Sequence, residues 1–304
     1  MVSYFGSDIS NMDGVLIVNK ELGWTSHDVV AKLRSILGVR KIGHTGTLDP
    51  AATGVLVILI GKATRILRFL DDNQKEYIAE IRLGISTDTL DAEGRVEKIT
   101  EVPWTSLDSI KAICKGFEGE IEQIPPVYSA VKIGGQRLYQ LARKGRAVHP
   151  SPRRVNIYEI EVVNWQPPSL VLRVVCSRGT YIRTLAADIG GKLGCGGHLS
   201  GLRRVRSGEF TIDRALSVED ITVLAKAGDL APNIMSIDDA LKRFPYVKLN
   251  PDEADRFKHG GALKLSTTFD GATTVRVRNS EGHLLGVAKL DLAQNMMRPV
   301  CVLQ

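Results

Sequence analysis

Seven consecutive residues, Gly54 to Ile60 (GVLVILI), constrain the fold of this chain more than any other stretch. An apolar run of strand length, rich in β-branched side chains, has no polar face to turn to water, so it reads as a central strand covered on both sides. Such a strand needs a sheet with layers on each face, and the surrounding sequence offers the parts. Gly14 to Lys20 (GVLIVNK) reads as another short buried strand. Tyr77, Ala79, Ile81 and Leu83 alternate with Ile78, Glu80 and Arg82, the period of a strand that begins near Tyr77. Val155 to Val163 and Leu170 to Cys176 read as two more. Val29, Val30, Leu33, Ile36 and Leu37 recur at helical spacing behind Ser26, the expected N-cap, and Leu107, Ile110, Ile113 and Cys114 do the same further on.

A third helix is expected over Thr180 to Leu193, capped by Thr180, with Ile182, Leu185, Ala186 and Ile189 as its apolar stripe. Arg183 falls off that stripe and close to the positive helix N-terminus, where a second positive charge is unfavourable, so it calls for a specific partner. GCGG at Gly194 to Gly197 ends the helix. After Ser217 a helical segment runs through AKAGDLAPN to Arg243-Phe244-Pro245, and a domain boundary is expected there: residues 1–243 as a large unit and 244–304 as a small β-rich one. The latter holds a helix-like NPDEADRFKHG and alternating strands around Thr273 to Arg278 and Leu284 to Leu290.

The chain has 304 residues, 43% hydrophobic and 24% charged, with no apolar run near the roughly 20 residues that cross a bilayer. The N-terminus shows no basic segment followed by an apolar one, so no secretory signal is read and a cytoplasmic setting is expected. Cys114, Cys176, Cys195 and Cys301 are too scattered for a zinc site or a disulfide framework and read as buried thiols; the histidines show no metal-binding spacing, and neither metal nor cofactor is expected. A net charge of +6 suits a polyanionic partner without requiring one. Ile124-Pro125-Pro126 stops regular structure, and an arm is expected over about residues 124–154. From Arg137 to Arg154 it carries Arg137, Arg143, Lys144, Arg146, Arg153 and Arg154, plus His149, with Tyr139 interleaved and no acid, which favours phosphate contact over a merely solvated face.

The loop Gly43 to Gly54 (GHTGTLDPAATG) lies directly before the central strand, and rigidly held loops are where sites tend to lie. Asp49 before Pro50 is also a common turn starter, and His44 alone could be a simple hydrogen-bonded loop histidine. The glycines do not follow a nucleotide-binding pattern.

The stretch GHTGTLDPAATGVL resembles the signature of the TruB family of pseudouridine synthases. The resemblance extends to Asn19 through Ser26, with Glu21 where the family has proline, and to Lys75-Glu76-Tyr77. It continues through Arg82-Leu83-Gly84, Thr87 to Gly94, Ile124 to Lys132, and Ser177 to Thr184, in family order over roughly residues 13 to 215. It implies an α+β pseudouridine synthase fold with a mixed, mainly antiparallel central sheet and a small β-rich C-terminal PUA-like domain that binds RNA. It also implies isomerisation of uridine to pseudouridine in the T-loop of tRNA, at the position called 55: the bond from ribose C1′ to uracil N1 breaks, the ring turns, and C1′ rejoins at C5. The target base must first leave its stack.

Under that resemblance Asp49 is the catalytic carboxylate, attacking C1′ or C6 or chiefly promoting elimination, and Arg183 is the arginine paired with it. Tyr77 stacks on the flipped base and is the base for the final proton at C5. Tyr181 and Leu202 line the pocket, His44 engages the flipped region of the loop, Arg65 is a basic residue near the substrate, and Asp91 belongs to a polar network beside the pocket. Arg143, Lys144 and Arg146 grip the T-stem backbone. The expected partner is the tRNA T-arm, with no membrane and no required protein, and the expected state is a monomer. Two other readings remain: a non-catalytic tRNA-binding or folding protein on the same scaffold, and the guide-RNA-dependent branch acting on ribosomal RNA. The short N-terminus and the basic insert after Pro126 resemble instead the bacterial, stand-alone type.

Overall fold

The structure, a computed structural model, describes residues 12–70, 74–127, 129, 131–133, 135–138, 150–265, 269 and 271–303. Its first half supplies β1 (Gly14–Lys20), β2 (Ile42–His44), β3 (Ala52–Ile60), β4 (Lys75–Leu83), a hairpin of β5 (Ile85–Thr87) and β6 (Val96–Ile99), and β7 (Gly119–Gln123). A short hairpin of β8 (Lys132–Ile133) and β9 (Gln136–Arg137) precedes β10 (Arg153–Gln166), β11 (Ser169–Cys176), β12 (Gly197–Ser207) and β13 (Phe210–Thr211). The main sheet runs β1-β3-β12-β4-β11-β10-β7, with β2 added to β3 and β13 to β12. Within it every pairing is antiparallel except β3 with β12, which run parallel, so the sheet is mixed and mainly antiparallel.

β3 is the buried central strand that its sequence requires. Val55 through Ile60 are all 0% exposed, and their side chains alternate between two cores. Leu56, Ile58 and Ile60 pack with the helix Ser26–Leu37 and the helix Val218–Ala227, while Val55, Val57 and Leu59 pack on the other face with Val15, Ile17, Ala63 and Ile66. A third core fills the space between β4, β11 and the helices Leu107–Lys115 and Ile182–Lys192. At about 25 cal/mol per Å² of apolar surface, these layers are the main force fixing the sheet.

Two cap assignments made from sequence need correction. Thr25, not Ser26, caps the first helix: its hydroxyl accepts from Asp28 N, and Asp28 returns the bond to Thr25 N. Ser26 is buried, and its hydroxyl is committed to the loop ahead of β3. The third helix starts at Ile182 with Tyr181 as an N-cap that makes no side-chain capping bond; the Thr180 hydroxyl donates to Ser177 O at 2.9 Å instead. Gln123 on β7 accepts from Tyr181 N at 2.9 Å, satisfying an N-terminal group of that helix from the neighbouring strand.

The last segment forms a separate five-stranded sheet, β14-β16-β17-β18-β15, from β14 (Tyr246–Lys248), β15 (Leu263–Lys264), β16 (Thr274–Arg278), β17 (Leu284–Asp291) and β18 (Met296–Val302). It has a core of its own around Phe257, Val275, Val277 and Leu285, beneath the helix Pro251–Lys258. Val287, Cys301 and Leu303 turn the other way and join the core under β1 and β3. Asp238, ahead of this sheet, bonds both Arg276 at 2.9 Å and Arg278 at 2.5 Å. No helix among the described residues is long and apolar enough to cross a membrane.

Candidate active site

The loop between β2 and β3 is held from below on every side. Ser26 Oγ accepts from Leu48 N at 2.8 Å and donates to Leu48 O at 3.1 Å. Lys20, fully buried, donates from Nζ to Trp24 O at 2.6 Å, Glu21 O at 2.9 Å and Pro50 O at 3.4 Å, tying the turn after Asp49 to the loop behind β1. Arg204 on β12 donates from Nε to Val55 O at 2.7 Å, from Nη2 to Gly46 O at 3.0 Å and from Nη1 to Thr47 O at 3.5 Å. Gly23 N adds a bond to Pro50 O at 2.9 Å, and Asp49 O accepts from Ala52 N at 3.0 Å. A loop whose backbone groups are paired this way has little freedom to move.

Above this platform the Asp49 side chain is 47% exposed, whereas Arg183, its ion-pair partner at 3.0 Å, is only 7% exposed. The guanidinium is a fork: Nη2 meets Asp49 Oδ2 and Nη1 meets Asp91 Oδ2, also at 3.0 Å. Asp91 is fixed in turn, its Oδ1 accepting from Thr89 Oγ1 at 2.5 Å and from Glu93 N at 3.2 Å. A buried guanidinium between two carboxylates is anchored by one and presents the other. The nearby burial of Lys20 lowers its pKa to about 8, and burial together with the Arg204 charge lowers that of His44.

Asp49 and Arg183 face a cavity of about 220 Å³ that Tyr77, Tyr181 and Leu202 also line, with Lys75, Ser129, Arg178 and Arg204 completing its wall. Tyr77 enters it from β4 and Leu202 from β12; the strand register sets Arg204 directly opposite Tyr77 and Leu202 opposite Ala79, so these side chains share one face of the sheet. Burial raises the Tyr77 pKa, and the Arg204 charge works against that rise. A smaller compartment of about 20 Å³ lies beside Asp49, Arg183 and Asp91, closed by Ala92 and Ser200 to Leu202.

A sequence profile for the TruB family pseudouridylate synthase N-terminal domain matches residues 34–182, one for the tRNA pseudouridylate synthase B C-terminal domain matches 183–242, and one for the C-terminal part of pseudouridine synthase II TruB matches 245–299. The tRNA pseudouridine synthase B of Francisella philomiragia subsp. philomiragia is 44% identical over 282 residues, 92% of each chain. That of Syntrophotalea carbinolica is 44% identical over 249 residues, 82% of this chain and 81% of its own. The chain belongs to the TruB family of pseudouridylate synthases.

Solved structures agree on the TruB-type fold. A chain in the crystal structure of a Cbf5–Nop10–Gar1 complex superposes with a TM-score of 0.73 at 28% identity, over 97% of this chain and 86% of that one. A chain of an H/ACA RNP bound to a substrate RNA containing 2′-deoxyuridine gives 0.72 at 25% identity, over 100% and 91%.

Of the residues singled out in this TruB sequence, Asp49, Tyr77, Tyr181, Arg183 and Leu202 meet around one cavity, and Asp91 joins them through Arg183. His44 ends β2, just ahead of the loop. Arg65 does not line that cavity; it is exposed on the turn of helix after β3, its carbonyl accepting from Cys301 Sγ of the C-terminal sheet. Arg143, Lys144 and Arg146 lie outside the described residues. Lys20, Lys75, Arg178 and Arg204 were not among the residues expected to build the site. For Arg204 a signal existed: it stands two residues beyond Leu202 on one strand, hence on the same face.

Proposed function

We propose that this chain isomerises uridine to pseudouridine in the T-loop of tRNA, at the position called 55, with Asp49 as the catalytic carboxylate. The observation that carries this reading is the Arg183 fork, which fixes Asp49 in the wall of a cavity that Tyr77 also lines while leaving about half of the carboxylate side chain exposed. A flipped uridine entering the cavity stacks on Tyr77, with Tyr181 and Leu202 bounding the ring and the carboxylate facing the ribose-to-uracil bond. Arg183 holds the charge and direction of Asp49 before substrate arrives, so the reaction needs no reorganisation of the carboxylate. Tyr77 removes the C5 proton at the end.

Residues 1–243 serve as the catalytic unit and residues 244–304 as an RNA-binding module, in support of which the latter segment carries its own sheet and core. The stretch 124–154, with Arg143, Lys144 and Arg146, grips the T-stem backbone by its shape. His44, at the mouth of the loop, engages the displaced nucleotides, and Arg65 adds positive charge further along the surface. The relatives named tRNA pseudouridine synthase B support tRNA as the substrate.

The deciding experiment follows release of tritium from uracil C5 of labelled tRNA transcript. Wild type is expected to release the label and Asp49→Asn to bind the transcript without releasing it. Equal release by both would refute the role of Asp49, and no release by wild type would favour a protein that only binds tRNA.

A further inference from the structure

Arg204 is among the largest fully buried side chains, at 2% exposure, and like Lys20 it is a buried cation held by backbone carbonyls. It donates to three backbone carbonyls, of Val55, Gly46 and Thr47, and hydrogen-bonds the Tyr77 side chain, and among the described residues no carboxylate lies within ion-pair distance of it. Burying a charge without a counter-ion is costly, and a loop clamp alone does not require one. The charge has a second neighbour: Tyr77 sits directly across the strand pair, on the same face and in the same cavity wall.

We propose that Arg204 is the positioning residue for proton removal at C5, holding the Tyr77 oxygen toward the ring and stabilising the form of it that accepts the proton. This rests on the reading of Tyr77 as the base. Once C1′ has bonded to C5, that carbon carries both the ribose and its original hydrogen. The Tyr77 phenol first gives its own proton to solvent, a loss that burial opposes and the Arg204 charge favours, and the ionised oxygen then takes the C5 proton and becomes a phenol again. The C5–H electron pair becomes the C5–C6 double bond, the N1–C6 double-bond pair moves to N1, and N1 takes a proton from solvent. The Arg204 charge and hydrogen bond oppose the effect of burial on Tyr77, while Cys176 and Asp49 act with burial; Lys75 and Arg178 line the same cavity. Because the same guanidinium holds Gly46 and Thr47, one side chain sets both the base and the loop that carries Asp49 at a fixed separation.

The experiment compares single-turnover rates on a T-arm hairpin RNA whose target uridine carries hydrogen or deuterium at C5. Arg204→Gln is expected to slow turnover about 100-fold, the scale of a general base, and to raise the deuterium effect above that of wild type, because C5 proton removal becomes limiting. Ser26→Ala, which loosens the same loop at Leu48 without touching Tyr77, is expected to slow turnover with the deuterium effect unchanged. If Arg204→Gln behaves like Ser26→Ala, Arg204 is a loop clamp only and the proposal fails. Should Arg204→Gln not fold, Arg204→Lys carries the test: a single ammonium cannot serve three carbonyls and the phenol together. A deuterium effect left at the wild-type level in that variant overturns the proposal. Tyr77→Phe separates the two readings: wild-type rate and deuterium effect there would remove Tyr77 as the base, whereas slow turnover there with an unaltered deuterium effect in the Arg204 variants removes only the role of Arg204.

Discussion

The backbone of Gly54 lies so close to that of Arg204 that a β-carbon on Gly54 would stand 2.2 Å from the Arg204 carbonyl oxygen. The glycine also has φ of +99°, a conformation that side chains of L-residues rarely adopt. Both facts arise where β3 and β12 run parallel. Gly54→Ala is expected to destabilise the fold by at least about 2 kcal/mol, combining backbone strain with overpacking. Urea denaturation reads this directly; an unchanged midpoint would mean that the strands can part here at no cost.

Arg183→Lys is expected to lose most of the rate, about 100-fold or more, with hairpin binding retained. A lysine keeps the charge but cannot reach Asp49 and Asp91 at 3.0 Å each from one planar group. Near-wild-type turnover would show that the fork is dispensable.

Asp91→Asn removes one anchor and leaves the contact of Arg183 with Asp49. The expected order of severity is therefore Asp49→Asn, then Arg183→Lys, then Asp91→Asn, measured as single-turnover rates. An Asp91 variant as inactive as the Asp49 variant would place Asp91 in the chemistry itself.

Lys20 ties stability to pH. Burial lowers its pKa from 10.5 to about 8, so below pH 8 it is charged in both folded and unfolded chains and the cost of burying the charge is fully present. Between about 8 and 10.5 the unfolded chain holds the proton more tightly, and stability must rise with pH from this group. The difference in Tm between wild type and Lys20→Met is expected to shift in favour of wild type across that window. A flat difference would mean that Lys20 stays charged.

Replacing Arg143, Lys144 and Arg146 together by alanine is expected to weaken T-arm binding and to flatten its dependence on log salt concentration by about two to three units, near one for each phosphate that the protein no longer neutralises. An unaltered slope would take these side chains off the RNA.

The sequence made the central strand legible because an uninterrupted apolar run admits few other fates, and the alternation around Tyr77 did the same for β4. Asp49 alone read as readily as a turn residue; the family signature around it, not its local chemistry, pointed to a site. A serine before a helical stripe suits a cap, whereas the true partner of Ser26, Leu48, is brought close only by the fold. Arg204 is inconspicuous in the sequence for a related reason. An arginine on a strand ordinarily reaches solvent, and nothing local marks one that turns inward to three carbonyls contributed by distant loops.

The parallel pairing of β3 with β12 has a consequence for the order in which this protein comes into being. Along this edge Ala52 to Gly54 pair with Leu202 to Arg204, so as the ribosome delivers the chain from its amino end the Asp49 loop emerges long before either of the arginines that hold it. A nascent chain shorter than this has the carboxylate but no site around it. The site around Asp49 is therefore completed only after residue 204 has been made.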